Sequence, residues 1–146
     1  MTTLLSPREL TRQITERLPG AVVDTSDAAI VVNSRSLLDV ATFLKETPGL
    51  EFDYLTHITA VDYHQYFEVI YQLTSLKHNH TAVVKTRCYG RDNPSLPSVV
   101  SLWRGADYQE REIYDLMGIS FEGHPNMKRI VLWSGFQGHP LRKDYL

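Results

Sequence analysis

The chain has 146 residues, a net charge of −2 and a hydrophobic share of 42%. That length suits one domain with its own core, and the near-neutral balance gives no electrostatic reason to bind nucleic acid or an anionic membrane surface. No apolar run approaches the ~20 residues of a spanning helix, and the N-terminus lacks the apolar stretch of a signal peptide; the chain is expected in the cytoplasm, with membrane association only through partners.

The first element is well signalled. Ser6-Pro7-Arg8-Glu9 reads as a capping box with proline at the first helical position, and Leu5 is placed to staple onto Leu10. Leu10, Ile14 and Leu18 form a buried stripe, and Pro19-Gly20 ends the helix. Short strands are predicted over 21–24 and 28–32. A second helix is predicted from Ser36, with Leu37, Leu38, Ala41 and Leu44 inward and Pro48-Gly49 closing it.

Three strands follow. Residues 55–63 are β-branched-rich and nearly apolar. Residues 66–76 alternate, with Phe67, Val69, Tyr71 and Leu73 on one face, and 81–89 alternate with Ala82, Val84, Thr86 and Cys88 on one face. Short turns at His64-Gln65 and His78-Asn79-His80 predict antiparallel hairpins. Residues 90–97 read as a loop. Cys88, the single cysteine, rules out a disulfide framework. It also rules out an iron–sulfur cluster held by this chain alone, which takes about four thiolates; it reads as a small core residue.

A third helix ends at Gly118, where a left-handed cap is expected. On it Trp103, Ala106, Glu110, Ile113, Tyr114 and Met117 share a face, which sets Glu110 in an apolar stripe. Asp107, Arg111 and Asp115 form a charge row at i, i+4 spacing. Beyond Gly118 the periodicity stops, and Gly123, Pro125, Gly135, Gly138 and Pro140 interrupt any regular element. Disordered tails are poor in apolar residues, whereas this one carries Phe121, Ile130, Leu132, Trp133, Phe136 and Leu141. Its shelter is expected on another protein. The predicted fold is α+β: a mostly antiparallel sheet with helices on one face over 1–118, and an irregular C-terminal arm over 119–146.

Each candidate site residue has a competing structural role. His78 and His80 lack an identifiable third ligand, and catalytic zinc needs three, so they read as solvated turn histidines. His57 and His64 read as strand and turn residues. His124 and His139, each in Gly-His-Pro, are expected to donate a ring nitrogen to a backbone carbonyl or carboxylate at an interface; a proton relay is the alternative. Glu110 and Glu112, two residues apart on a helix, point apart and cannot act as an acid–base pair on one substrate. Glu110 is better explained as a buried carboxylate paired with Arg129 or Arg142. No G-x-G-x-x-G or P-loop sequence is present.

Three blocks of sequence then carry a resemblance. Glu110-Arg111-Glu112, Asp115-Leu116, Gly118-Ile119, Phe121, Gly123-His124-Pro125, Met127 and Arg129-Ile130 resemble the signature of the C-subunit family of respiratory complex I, the NADH:quinone oxidoreductase (NDH-1). Gly138-His139-Pro140-Leu141-Arg142-Lys143-Asp144-Tyr145 is similar to that family's second block. Phe52-Asp53-Tyr54-Leu55 through Ala60-Val61-Asp62-Tyr63 is similar to a weaker third. Tyr108, Met127 and Val131 replace residues of similar size and apolarity. The resemblance implies a cofactor-free subunit of the peripheral arm, on the cytoplasmic side of a bacterial inner membrane. Its partners would be the quinone-site subunit, the subunit that carries the terminal cluster, and other parts of the peripheral arm. FMN, iron–sulfur clusters and quinone would then belong to partner subunits, and electron transfer from NADH to quinone would drive proton translocation. The implied partner interface is Glu110, Arg111, Glu112, Asp115, Gly118, Phe121, Gly123, His124, Pro125, Arg129, Trp133, Gly138, His139, Pro140, Leu141, Arg142, Lys143 and Asp144. Relatives also occur in membrane-bound hydrogenases and complex I-like machines with other electron donors, and this chain cannot report the donor. A free-standing metal enzyme using His78, His80 or His124 is the third reading.

Overall fold

Ser6 caps the first helix as its sequence dictates, but the Glu9 carboxylate accepts from Arg12 and Gln13 instead of closing the box on the Ser6 amide. In the computed structural model, which describes residues 2–129, 132 and 137–143, Ser6 Oγ accepts from the Glu9 amide at 3.4 Å and opens helix α1, Pro7–Arg17. Leu10 and Ile14 are buried, and Leu5 packs against the same core. Two residues ahead of it a strand that periodicity does not signal, β1 (Thr3–Leu4), pairs parallel with the start of the strand that begins at His80.

Strands β2 (Val22–Thr25) and β3 (Ile30–Val32) form an antiparallel pair with a register shift between Val22 and Asp24. The second helix, α2 (Leu37–Glu46), is entered differently from the expectation. A 3-10 turn, Ser34–Ser36, precedes it, and Asn33 rather than Ser36 caps that turn by accepting from the Arg35 amide at 3.0 Å. Leu37, Val40, Ala41 and Leu44 are buried, the i, i+3, i+4 and i+7 positions of one helical face, while Leu38 lies off that face and is exposed.

Strands β4 (Tyr54–Asp62), β5 (Tyr66–Ser75) and β6 (His80–Tyr89) make the two predicted hairpins. Each turn uses a residue in the left-handed region, His64 at φ 68° and Asn79 at φ 53°. Sheet order is β2-β3-β6-β5-β4, with β3 and β1 both parallel to β6 and the remaining pairs antiparallel. Phe67, Val69, Tyr71 and Leu73 on β5, and Ala82, Val84, Thr86 and Cys88 on β6, line the buried face. Leu37, Ala41 and Leu44 of α2 lie against Tyr71, Leu73 and Val84. The third helix, α3 (Ala106–Met117), meets Ile58 and Ala60 of β4 through Ile113 and Met117. The architecture is α+β, a mostly antiparallel sheet with its helices on one face.

The stretch read as loop at 90–97 contains β7, Ser95–Pro97, which pairs parallel with β8, Ser120–Glu122. Regular structure therefore continues past Gly118, and Ile119 and Phe121 are buried in the core. Trp103 Nε1 donates to the Phe52 carbonyl at 2.9 Å, tying the approach to α3 onto the end of the α2–β4 connection.

Candidate partner-docking site around helix α3

Helix α3 buries two carboxylates, and they face different ways. Glu110 and Asp115 are five residues apart, which at ~3.6 residues per turn places them about 140° apart around the axis. Both are fully buried.

Glu110 does not pair with Arg129 or Arg142, as burial in an apolar stripe had suggested. Its Oε1 accepts from Ser98 Oγ at 2.6 Å and its Oε2 from the Val99 amide at 3.0 Å. Burial pushes this carboxyl above its ordinary value, and those two hydrogen bonds oppose the shift without cancelling it. The side chain thus anchors the 98–99 segment, which leads from β7 into the helix.

The carboxylate–arginine pair belongs to Asp115. Arg129 Nη1 lies 2.6 Å from Asp115 Oδ1, and the Leu132 amide donates to Oδ2 at 2.7 Å. The i, i+4 row of Asp107, Arg111 and Asp115 reaches beyond the helix. Arg111 donates to the carbonyls of Lys128 and Arg129 at 3.1 and 3.3 Å, and its guanidinium lies over the Tyr108 ring. Asp107 lies against His124. The row is a set of attachment points for the chain that follows.

The end of α3 is where that chain converges. The last carbonyls of a helix have no partner within it. Here the Tyr114 carbonyl accepts from the Gly118 amide at 2.8 Å. The Asp115 carbonyl accepts from Arg129 Nη1 at 3.1 Å and His139 Nδ1 at 2.9 Å. Those of Leu116 and Met117 accept from the Leu141 amide at 2.9 Å and Arg142 Nε at 2.6 Å. Gly118 makes this possible: its φ is 78°, and a Cβ there would stand 2.7 Å from both Arg142 Nη2 and His139 Cδ2. Arg129 Nη2 also holds the Gly138 carbonyl at 2.9 Å.

A second attachment was not singled out from the sequence. Asp62, at the end of β4, receives Arg91 through 2.8 and 2.6 Å contacts, the His64 amide at 2.8 Å and the Lys143 amide at 2.9 Å. These donors, led by Arg91, hold its carboxyl far below the usual carboxylate range. Beside it, the guanidinium groups of Arg91 and Arg142 lie over the buried Phe67 ring, 4.9 and 5.1 Å from its centroid. The clue was an acidic residue closing an otherwise apolar strand, next to a turn.

The histidines sort by partner. The His124 side chain is enclosed; Nδ1 accepts from the Asn126 amide at 2.9 Å, so Nε2 carries the proton and lies 3.2 Å from the Asp107 carbonyl and 3.0 Å from Oδ1. His139 donates to α3 in the same manner. Both donations are of the predicted kind, and both acceptors belong to this chain. His80 is not a solvated turn residue: it is buried in β6 and bonded to the Leu50 carbonyl at 2.9 Å, while His78 contacts Glu51 at 3.0 Å. Among the described residues no group of three or more histidines, cysteines or acidic residues is arranged to hold a metal. Burial pushes the Cys88 thiol up to about 12, which makes it inert as a nucleophile at neutral pH.

Of the predicted interface, Glu112, Gly123, Pro125, Gly138, Leu141 and Lys143 are exposed, Arg111, Gly118, His124, Arg129, His139, Pro140 and Arg142 are partly buried, and Phe121 is buried. Trp133 and Asp144 lie outside the described residues, as do Ile130, Val131, Phe136 and Tyr145. Leu141, 60% exposed, borders a groove of about 140 Å³ with Ile58, Ala60, Ile113 and Leu116. No helix among the described residues is long and apolar enough to cross a membrane.

The fold gives the class. It is similar to a chain in the structure of the membrane-bound sulfane sulfur reductase, an archaeal respiratory membrane complex, with a TM-score of 0.76 and 27% identity over 94% of this chain and 84% of that one. In that complex a domain of this fold is one chain of a respiratory membrane assembly. More particularly, the chain belongs to the family of the respiratory-chain NADH dehydrogenase 30 kDa subunit, whose model matches residues 30–146. The second C-subunit of the NADH-quinone oxidoreductase of Rhizobium meliloti is 42% identical over 80% of this chain, and the C-subunit of the Roseiflexus castenholzii enzyme is 41% identical over 87%. The chain spans 65% and 76% of their respective lengths. It is thus a subunit of a multisubunit oxidoreductase complex of the NADH-quinone type.

Proposed function

We propose that this chain is the cofactor-free scaffold of the peripheral arm of a bacterial NADH:quinone oxidoreductase, on the cytoplasmic side of the inner membrane. It holds the quinone-site subunit in place beside the subunit that carries the terminal cluster. Electrons pass from NADH through FMN and iron–sulfur clusters, all in partner subunits, to quinone, and that transfer drives proton translocation. This chain contributes rigidity and no chemistry of its own. The single observation that supports the reading is the closure of the α3 end, where every terminal carbonyl is bonded to a following residue of the same chain. A helix end locked in this way presents Tyr108, Glu112 and Leu141 outward on a stiff base. Purification of the tagged chain from native membranes, with identification of every co-purifying subunit, tests it. The quinone-site and terminal-cluster subunits are expected in stoichiometric amounts; recovery of the chain alone would reject the reading.

A second reading keeps the scaffold and changes the electron donor. The likeness to a chain of a sulfane sulfur reductase complex, at a TM-score of 0.76, favours keeping it in view. The same purification discriminates: flavin- and NADH-binding subunits in the recovered complex select the first reading, and their replacement by other input subunits selects the second.

A further inference from the structure

We propose that residues 137–143 form a strap that closes on α3 within the single chain, before any partner is met. The strap gives three of its polar groups to the helix end. The His139 ring nitrogen bonds the Asp115 carbonyl at 2.9 Å, the Leu141 amide bonds the Leu116 carbonyl at 2.9 Å, and Arg142 Nε bonds the Met117 carbonyl at 2.6 Å. A fourth, the Lys143 amide, reaches across to β4 and donates to Asp62 Oδ2 at 2.9 Å. Carbonyls at a helix end otherwise turn to water or to a ligand; here the following chain supplies the donors.

The fit is steric as well as polar. Arg142 and His139 occupy the space in which a side chain on Gly118 would lie, and the Arg142 guanidinium lies over the ring of Phe67 in the core. The outward side is of different character. Leu141 is 60% exposed and Lys143 is exposed, so an apolar and a basic group face away from the helix that the backbone is tied to. A segment that folds only on binding leaves its backbone donors for the partner to satisfy and is ordered at that moment. This strap has already committed its donors inward.

The closure rests on the chain's own hydrogen bonds. Only its consequence rests on the scaffold function: docking then uses a preformed surface and loses less entropy in ordering than a disordered arm would. The test therefore uses the free, full chain without partners. Amide hydrogen exchange is followed residue by residue. The Leu141 and Lys143 amides are expected to exchange at least about tenfold more slowly than in an unstructured peptide. Gly118→Ala is expected to return both to the peptide rate while the Val69 and Val84 amides of the central strands keep their protection. Should that variant also open the strands, Arg142→Ala replaces it, because it removes a strap contact without touching the helix backbone. Peptide-like exchange at Leu141 and Lys143 in the unaltered chain, with β5 and β6 protected, would overturn the proposal. So would slowing that arises only in the assembled complex.

Discussion

Glu110 and Asp62 are both buried carboxylates, yet protonation acts on them in opposite senses. Burial raises the Glu110 value above 4.5, so its contribution to stability is complete below that pH and is lost as the pH climbs through the raised value. Asp62 is held below its ordinary 3.8 by Arg91 and two amides; its contribution is complete above 3.8 and is lost as the pH falls through the lowered value. In thermal melts across pH, the stability of the unaltered chain relative to Glu110→Gln should therefore decline as pH rises above 4.5. Parallel curves would contradict the burial argument. Asp62→Asn should cost about 3 kcal/mol at neutral pH, because it leaves Arg91 facing a neutral group in a largely enclosed site. That deficit should shrink in acid, where the native carboxylate also loses its charge. Helical spacing was enough to show that Glu110 is buried, since it lies in line with Ala106 and Ile113. It could not show what satisfies it. Ser98 and Val99 reach it through an irregular turn, and no period relates a turn to the helix that it precedes. The same spacing misassigned Asp115, whose neighbours on its own face of α3 are supplied by residues after the helix.

At the scale of elements, the long ones were legible and the short ones were not. Helices α1 and α3 and strands β4 to β6 carry enough residues for apolar periodicity to set their faces. Strands β1, β7 and β8 have two or three residues each, and each pairs with a strand distant in sequence. A pairing of that kind leaves no local pattern. Helix α2 shows an intermediate case: its existence was plain, but the face that starts at Leu37 runs through Val40 at i+3, so Val40 and not Leu38 lies inward. The end of α3 is sensitive to a single methyl group. Gly118→Ala places a side chain in the left-handed region, at a cost of about 1–2 kcal/mol, and drives a methyl group into Arg142 and His139. Chemical denaturation should show a loss larger than the backbone cost alone. A loss within that cost would mean that the strap yields freely.

Across the whole molecule, three unlike sets of residues meet around α3: the turn at 98–99, the end of β4 with its Asp62, and the described residues from His124 on, which are 124–129, 132 and 137–143. Each is fixed by charged or polar groups that would be costly to leave unpaired. The family resemblance rests on residues of α3 and of these segments, and Glu110, Asp115, Gly118, His124, Arg129, His139 and Arg142 are among those the geometry ties together. The sequence could not show that most of these ties are internal, since an apolar, irregular tail has the same composition whether it closes on itself or on a neighbour. In the proposed function this closed end is a scaffold for electron-transfer partners. The most direct measurement is made on Asp115→Asn combined with Arg129→Ala in the native complex, comparing the amount of assembled oxidoreductase with quinone turnover per assembled complex. Assembly is predicted to fall several-fold, with turnover per assembled complex unchanged. Full assembly with turnover lost would contradict the scaffold and place chemistry in this chain.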